Sequence, residues 1–445
     1  MATELIFGIE NEIKDYNITR SVDKNAFALS ELLTEGLFYL KPDASLEPDL
    51  VKKFKRVGRL WSFELRESVF SNGKKLSCED VRANIEEARF SPRPVRARLG
   101  EISSVKCKGQ TLLIETKEPF PQLLYRMGYI VRVYEATTLK DKAPIGSGPY
   151  VVRSKTDKDL VLVPNPHYSK KAHYERILFR ALRDPWLRDL ALLSGNVDFL
   201  MEGFSQLRLK AFESREGAVK IYRNPSQLLS YMVLKQEKFS LKQREYVREI
   251  LYKEKAVEKF WGTQVESTTK IFRNSENALS LPQAITKIAP FSVEVSVVAD
   301  ETQINFLKFI AGVLKPYGVS LKMRPLEFVS FMKRLNAKNF DAYLFYVDTS
   351  HALNLGALLH SRGNRLDVSD SELDFAFASY ATHENSVELR AILNNMERRI
   401  YEKAYLIPLY WSYKELICSK ALGIEQSSDG FWRDLLRSHK YTKQE

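Results

Sequence analysis

The sequence predicts an α/β protein of two or three domains. Its 445 residues exceed what one ordinary hydrophobic core organises. Short alternating apolar runs, typical of strands, recur between longer runs with helical spacing along the whole chain. No internal repeat or low-complexity tract interrupts this alternation, so we expect a globular protein built from packed layers.

The first half of the chain predicts strands with a few helices between them. Trp61, Phe63 and Leu65 alternate with polar residues and precede a turn signal at 71–73. Ser77 and Asp80 have the spacing of a capping box, which predicts that a helix begins there. The segment WLRDLALLSGNVDFL predicts an amphipathic helix closed by Gly195 and followed by a short strand.

The second half predicts a parallel sheet. The segment QREYVREILYKEKAVEKFW predicts one amphipathic helix. From residue 291 to residue 349 the pattern is strand, helix, strand, helix, strand, and this order is typical of βαβ units with parallel neighbours. A long helix and a final apolar strand, YLIPLYWSYKELIC, follow.

Charge and cysteine content exclude several classes of protein. The net charge of +12 suits nucleic acid, an anionic membrane, an anionic ligand or a solvated basic surface. We favour the solvated surface and expect no nucleic acid, because the cations are spread and no zinc-finger or RNA-binding signature occurs. The three cysteines form no CxxC pair, so we expect neither a metal nor a redox site on them and at least one free thiol.

The segment PIGSGPYVV at residues 144–152 has the composition of a phosphate-binding loop. Such loops lead into a helix, whose amides and dipole meet the phosphate. Here Pro149 and an apolar run lead into a strand instead. We therefore predict that Gly146 and Gly148 serve backbone geometry rather than a ligand.

Six segments in order resemble the motifs of one family. They are LTEGLFYL, WSFELRESVFSNGKKLSCEDV, PIGSGPY, NPHY, ALLSGNVDFL and IPLYWSY. With them the chain, from about Glu4 to about Trp432, resembles the extracellular solute-binding proteins of family 5. Members of that family serve peptide and nickel ABC transporters.

The resemblance implies the bilobed periplasmic binding protein fold of class II, cluster C. Two α/β lobes are then joined by a two-crossing hinge, and one lobe carries an extra inserted domain. Domain I is expected to be discontinuous, at 1–36, 142–229 and 406–445. Domain II, the insertion, is expected at 37–141, and domain III, the second lobe, at 230–405.

Asp348 is the main candidate for ligand binding. In peptide-binding members, a domain III strand ends in a loop whose Asp pairs with the α-amino group of the ligand. The segment LFYVDTSHALN aligns with that loop, and Asn354 falls on a loop Asn. The alternative is an Asp that caps a helix or a turn. The acidic run of the family is replaced here by residues 351–354, so the ligand class stays open.

The resemblance adds further candidates around Asp348. Phe345, Tyr346 and Val347 correspond to a strand that pairs with an extended peptide, although an ordinary strand core explains them as well. Glu35 corresponds to a position near the cleft, with a surface Glu as the alternative. Trp411 is a candidate wall residue, and domain packing explains it equally. His351 could meet a metal chelate, but we favour a solvated loop histidine and expect no metal site and no cofactor.

The resemblance implies a non-enzymatic component of an ABC importer. It would capture oligopeptides in an interlobe cleft and deliver them to the membrane permease. The alternatives are a non-peptide cargo (a metal chelate, an oligosaccharide or an anionic molecule) and a ligand-sensing domain. We expect a monomer in the periplasm or outside the cell, with no membrane contact except through the permease or a lipid anchor. No export signal is present in these residues.

Overall fold

The structure is a computed structural model of the chain. It describes residues 4–19, 24–40, 46–90, 99, 101–141, 143–170, 172, 174–200, 211–214, 219–273, 275–276, 285–361, 365–419, 422–423 and 442–443. No helix among these residues is long and apolar enough to cross a membrane.

The strands are numbered in chain order. They are β1 Glu4–Ile9, β2 Glu35–Gly36, β3 Phe38–Leu40, β4 Leu46–Pro48, β5 Val51–Val57, β6 Leu60–Leu65, β7 Ile102–Lys108, β8 Thr111–Thr116, β9 Arg132–Val133, β10 Tyr150–Lys155, β11 Asp159–Pro164, β12 Arg176–Ala181, β13 Phe199–Leu200, β14 Val219–Leu234, β15 Val265–Ser267, β16 Phe291–Val298, β17 Val319–Leu326, β18 Ala342–Asp348, β19 Ile407–Ser419, β20 Leu422–Gly423 and β21 Thr442–Lys443.

The α-helices are numbered in the same way. They are α1 Lys24–Leu33, α2 Cys78–Phe90, α3 Leu123–Ile130, α4 Pro185–Leu193, α5 Leu241–Lys253, α6 Ala256–Trp261, α7 Glu301–Leu314, α8 Phe328–Asn336, α9 Gly356–Leu359, α10 Ser371–Thr382 and α11 Ser386–Glu402.

The chain divides into two compact units. Unit 1 comprises 1–203, 211–223 and 415–445, and unit 2 comprises 204–210 and 224–414. The strands β14 and β19 each begin in one unit and end in the other. In unit 1, Arg223 Nε donates to Glu415 Oε1 at 3.1 Å, so the points where the chain leaves and re-enters this unit are adjacent. The three predicted domain ranges stay a prediction.

Unit 1 has a mixed sheet with a parallel centre. The order β10-β11-β12-β1-β13-β19 contains parallel pairs of β1 with β12 and with β13. Phe7 lies between Phe179 and Phe199 at 5.1 Å between each pair of ring centroids. These rings belong to a buried apolar cluster that includes Tyr150 and Leu162. The predicted strands and the helix closed by Gly195, with φ +75°, are all found.

A second, antiparallel sheet in unit 1 has the order β5-β6-β8-β7. Helix α2 packs against it and begins at the predicted capping box, where Asp80 Oδ2 accepts from Ser77 N at 3.0 Å. A disulfide joins Cys78 at the start of α2 to Cys107 in β7, with 5.9 Å between the Cα atoms. The third cysteine, Cys418, is a buried free thiol, and burial raises its pKa to about 12.

The PIGSGPY corner packs directly on the end of α1. Gly148 N donates to Leu33 O at 2.9 Å. A Cβ on Gly146 would lie 1.9 Å from Leu33 O, and one on Gly148 would lie 2.4 Å from Thr34 N. Asn165 Nδ2 donates to Gly148 O at 2.8 Å and fixes the other side of the corner. The prediction that these glycines serve backbone geometry is confirmed.

Unit 2 contains the predicted parallel strands. β16 pairs in parallel with both β17 and β18, and β14 adds antiparallel to β18. Two buried clusters cover the two faces of this sheet. In β14, Met232 and Leu234 belong to one cluster, here called face A, while Tyr231 and Val233 belong to the other, face B. Alternation along β14 separates the two faces, because successive side chains of a strand point to opposite sides.

One helix prediction needs correction. The segment 243–261 forms two helices, α5 and α6, instead of one. The break lies at Lys255, whose φ of +49° is left-handed and ends the helical hydrogen-bond pattern. Helix α5 begins at a capping box formed by Ser240 and Gln243.

Candidate functional site

The candidate site lies at the carboxyl edge of the parallel strands in unit 2. The strand order β18-β16-β17 places β16 between the two strands that follow it in the chain. After β16 the chain continues to β17 on one side of β16, and it later returns as β18 on the other side of β16. Such a switch point opens a crevice outside the carboxyl ends of the strands, where α/β proteins bind ligands.

Strand β18 extends past its parallel neighbour at this edge. The ladder between β16 and β18 pairs Val295 with Ala342 and Ser296 with Tyr343, and among the described residues it ends there. On its other side β18 stays paired with β14 as far as Asp348. One edge of the segment 344–348 is thus without a strand partner in the described part of the chain, and it can accept another extended chain.

Asp348 is the last residue of β18 and is half-buried. Its Oδ1 accepts from Ser350 N at 2.8 Å, which gives the carboxylate a turn role. The next residue, Thr349, donates from N and from Oγ1 to Gln227 O at 2.7 and 3.0 Å and fixes the loop to β14. No Lys or Arg among the described residues pairs with Asp348. The carboxylate is therefore without a cationic partner within that part of the protein.

The strand candidates divide between the two faces of the sheet. Phe345 and Val347 are half-buried and pack on face B, and the Phe345 ring lies 5.0 Å from that of Phe331. Tyr346 stacks its ring on that of Phe345, with 4.4 Å between the ring centroids, and is 45 % exposed. Of the three, Tyr346 is therefore the most accessible to a ligand, while the other two are mainly core residues.

Face A supplies two polar groups next to β18, Ser230 and Tyr410. Ser230 lies directly opposite Tyr346 in the β14–β18 ladder. The buried Tyr410 hydroxyl hydrogen-bonds with the Ser230 and Gln303 side chains, and burial raises the pKa of Tyr410. Tyr410 thereby contacts Ser230 on β14, the strand that pairs with β18 on the side away from its open edge.

The loop after Asp348 is more buried than expected. His351 is only 4 % exposed, and its Nδ1 accepts from Leu353 N at 3.3 Å. Its ring stands edge-on to Tyr380 at 5.0 Å. The prediction of a solvated loop histidine is wrong, because this ring caps the following turn. Asn354 lies in that turn, half-buried, and donates from its backbone to His351 O at 3.0 Å.

Trp411 is 3 % exposed and belongs to face B. The Arg273 guanidinium lies over its ring at 4.4 Å from the centroid. Arg273 also forms an ion pair with Glu266 and donates from Nε to Ser226 O at 2.8 Å. The structure thus places Trp411 in the packing of unit 2. Its ring supports Arg273, which lies next to Ser226, near the point where β14 enters this unit.

Glu35 belongs to unit 1 and is 1 % exposed, so the alternative of a surface glutamate is wrong. One carboxylate oxygen pairs with Arg66 and the other accepts from the Ser68 hydroxyl at 2.5 Å. Both oxygens are therefore occupied within the protein. This arrangement is typical of a buried structural ion pair.

Unit 1 also contains a buried cation that the sequence analysis missed. The Arg132 side chain is 7 % exposed, and its Nη2 pairs with Glu31 at 2.9 Å. Its Nη1 is buried and has no hydrogen-bond partner among the residues that the structure describes. Buried donors are nearly always satisfied, so this nitrogen indicates a place where an acceptor from outside the chain can bind.

No group of three or more His, Cys, Asp or Glu side chains with metal-binding geometry occurs among the described residues. The site therefore consists of an open strand edge, a half-buried carboxylate and an exposed tyrosine in unit 2. These groups suit recognition of a ligand by hydrogen bonds and charge.

The fold and this edge define a ligand-binding protein of the α/β class, and comparison with known proteins gives the family. The family model for bacterial extracellular solute-binding proteins, family 5 (middle), matches residues 45–273, which is just over half of the chain. The chain belongs to this family, as the ordered motifs predicted.

Three relatives illustrate the range of the family. The probable D,D-dipeptide-binding periplasmic protein DdpA of Escherichia coli is 24% identical over 253 residues, 52% of this chain and 49% of DdpA. NikZ of Campylobacter jejuni, solved with Ni(L-His), has a TM-score of 0.79 at 20% identity, over 95% of each chain. DppA of Helicobacter pylori, solved with the peptide STSA, has a TM-score of 0.80 at 15% identity, over 99% and 98% of the two chains.

The likeness to NikZ and DppA confirms the predicted bilobed periplasmic binding protein fold. The sequence match to DdpA spans about half the length of that relative. The ligands named for these proteins differ in chemistry, from a dipeptide to a metal complex.

Proposed function

We propose that this protein is the substrate-binding component of an ABC importer that captures oligopeptides and delivers them to a membrane permease. Family membership supports the transport role, and the peptide relatives DdpA and DppA support this cargo. The protein would act by binding alone, without catalysis.

The observation that carries the proposal is the open edge of β18 ending at an uncompensated carboxylate. An extended peptide added to a strand edge gains main-chain hydrogen bonds that do not depend on its sequence. A peptide whose ammonium group meets Asp348 would run back along Val347 and Tyr346, antiparallel to β18. The charge-assisted bond to the ammonium is worth about 1.5–3 kcal/mol.

The test compares a tetrapeptide with its N-acetylated form by calorimetry. The wild-type protein is expected to bind the free peptide about 10- to 150-fold more tightly, since acetylation removes the charge that pairs with Asp348. Asp348→Asn is expected to bind both forms with the same, weaker affinity.

A matched control carries the same charge change on an exposed helix end. Glu402 lies in α11 and is exposed, so Glu402→Gln should leave the preference for the free amine intact. An unchanged preference in Asp348→Asn would remove Asp348 from the site. Failure of the wild-type protein to bind any peptide would overturn the peptide cargo.

A second candidate cargo is an anionic molecule or a metal chelate, and the free Nη1 of Arg132 favours it. A carboxylate of such a ligand would complete the hydrogen bonding of this buried guanidinium. Native mass spectrometry of the purified protein separates the two candidates. A ladder of peptide masses supports the first, and a single metal-containing mass supports the second.

The proposed location is the periplasm or the cell exterior. The Cys78–Cys107 disulfide supports this location, because structural disulfides persist in oxidising compartments. The periplasmic relative DdpA supports it as well.

A further inference from the structure

Within the described part of the chain, no helix or strand covers one face of the antiparallel sheet β5-β6-β8-β7 in unit 1. Its other face carries Trp61, Phe63 and Ile114, which are buried on the side of α2. On the open face, alternation and register place Lys53 and Lys55 on β5, and Lys106 and Lys108 on β7. All four lysines are exposed, and they occupy the two outer strands of the sheet. We call this surface the lysine face.

The positive charge of the lysine face is not neutralised by its own carboxylates. The face has two, Glu64 and Glu115, which register places on the central strands. Each already pairs with a cation outside the four: Lys52 contacts Glu64 at 3.0 Å and Arg59 contacts Glu115 at 3.6 Å. Among the described residues, none of the four lysines forms an ion pair.

The lysine face also has an apolar corner. Val57 and Leu60 flank the turn at Gly58, lie opposite each other in the ladder, and are 68 % and 46 % exposed. Exposed apolar side chains beside a row of cations are typical of surfaces that enter the headgroup region of a membrane. Lysines on edge strands also prevent aggregation, but that role does not require an exposed apolar corner.

We propose that the lysine face binds an anionic lipid surface, with Val57 and Leu60 entering the headgroup layer. Specific protein interfaces are enriched in aromatic residues and arginine and depleted in lysine, whereas the unpaired cations of this face are lysines. Lysine ammonium groups on flexible stems suit the diffuse negative charge of phospholipid headgroups.

The test is co-sedimentation of the full chain with vesicles at low salt. Binding is expected to vesicles of mixed phosphatidylglycerol and phosphatidylcholine, and not to phosphatidylcholine alone. Each lysine near an anionic surface raises the membrane partition coefficient about fivefold. The double variant Lys53→Glu, Lys55→Glu should therefore lower this coefficient at least about 25-fold. High salt should release the wild-type protein, because the interaction is between exposed charges.

The matched control is the double variant Lys242→Glu, Lys308→Glu, which makes the same charge change on exposed positions of unit 2. The partition coefficient of this control should fall less than about twofold, since these lysines lie outside the lysine face. The variant Val57→Ser, Leu60→Ser should weaken binding while keeping its salt dependence. Thermal melting of each variant checks that it folds.

Two results would overturn the proposal: no binding of the wild-type protein to anionic vesicles, or an equal loss in both lysine variants. Peptide affinity of the same variants should stay unchanged. The outcome for the lysine face is therefore independent of the outcome for the proposed cargo.

Discussion

At the scale of single residues, Gly146 and Gly148 leave less room for a Cβ atom than the other described glycines whose surroundings were compared. The Cβ distances of 1.9 Å to Leu33 O and 2.4 Å to Thr34 N involve backbone atoms, which cannot move aside as a side chain can. Gly146→Ala or Gly148→Ala is expected to lower the free energy of unfolding by about 3 kcal/mol or more, or to prevent folding. Urea unfolding followed by circular dichroism measures this change.

Gly312 in α7 is the control for these glycines. No atom lies within 4 Å of the Cβ that Gly312→Ala would add, and the residue is helical. This substitution should stabilise the protein by up to about 1 kcal/mol, because alanine loses less entropy in a helix. Full stability of Gly146→Ala would contradict the steric argument.

The backbone role of Gly146 and Gly148 could be predicted from the sequence, but the contacts of Asp348 could not. A glycine pair before a proline and a strand limits the backbone locally, and a capping box such as Ser77 with Asp80 is equally local. Asp348 was found by alignment with a family loop, yet its bond to Ser350 and the open edge beside it depend on where β16 ends. Nothing in the sequence near residue 348 contains that information.

At the scale of elements, one carboxylate joins two helices of unit 2. Asp370 caps α10 through Leu373 N, and its Oδ2 accepts from Arg399 of α11 and from Tyr405, both at 2.8 Å. Burial opposes ionisation of Asp370, but these bonds outweigh it and hold its pKa below the ordinary value of 3.8. The charged form is therefore stabilised by folding.

The stability from Asp370 is present above the unfolded pKa and is lost as the pH falls through the lowered folded pKa. Asp370→Asn should cost about 3 kcal/mol at neutral pH, with the difference shrinking below about pH 4. Urea unfolding of both proteins across this range measures the difference. Glu372→Gln is the control: its carboxylate also contacts Arg399, at 3.2 Å, but is 71% exposed, so we expect less than about 1 kcal/mol.

A constant difference between Asp370→Asn and the wild-type protein down to acid pH would contradict this account. Of the two helices, the sequence analysis predicted α11 but not α10, and the connection between them was not predictable. Asp370 and Arg399 are 29 residues apart. The packing of α10 against α11 brings them together, and periodicity does not specify that packing.

At the scale of the whole molecule, the two units have separate buried clusters. The disulfide belongs to unit 1 alone and closes a loop with a sequence separation of 29. A loop of that length contributes about 3–4 kcal/mol by restricting the unfolded chain. Calorimetry is expected to resolve two transitions, of which a reducing agent or the variant Cys78→Ser, Cys107→Ser lowers only one.

The transition that reduction leaves unchanged is expected to belong to unit 2. A bound peptide should raise the melting temperature of that transition and so identify it. Movement of both transitions after reduction would show that the units unfold as one.

The sequence did not predict which cysteines form the disulfide. Three cysteines allow three single disulfides, and an odd count requires only that one thiol stays free. The structure shows that the free thiol is Cys418, which is buried in β19.

The adjacency of Arg223 and Glu415 bears on how the molecule can be divided. Apart from residues 204–210, unit 2 is one continuous stretch, 224–414, and unit 1 resumes where it stopped. A bond of 3.1 Å between the two flanking side chains means that about four linker residues span the gap. The second unit can therefore be exchanged as a cassette, so that a chain of this design acquires a different open edge while unit 1 keeps its core, its disulfide and its lysine face.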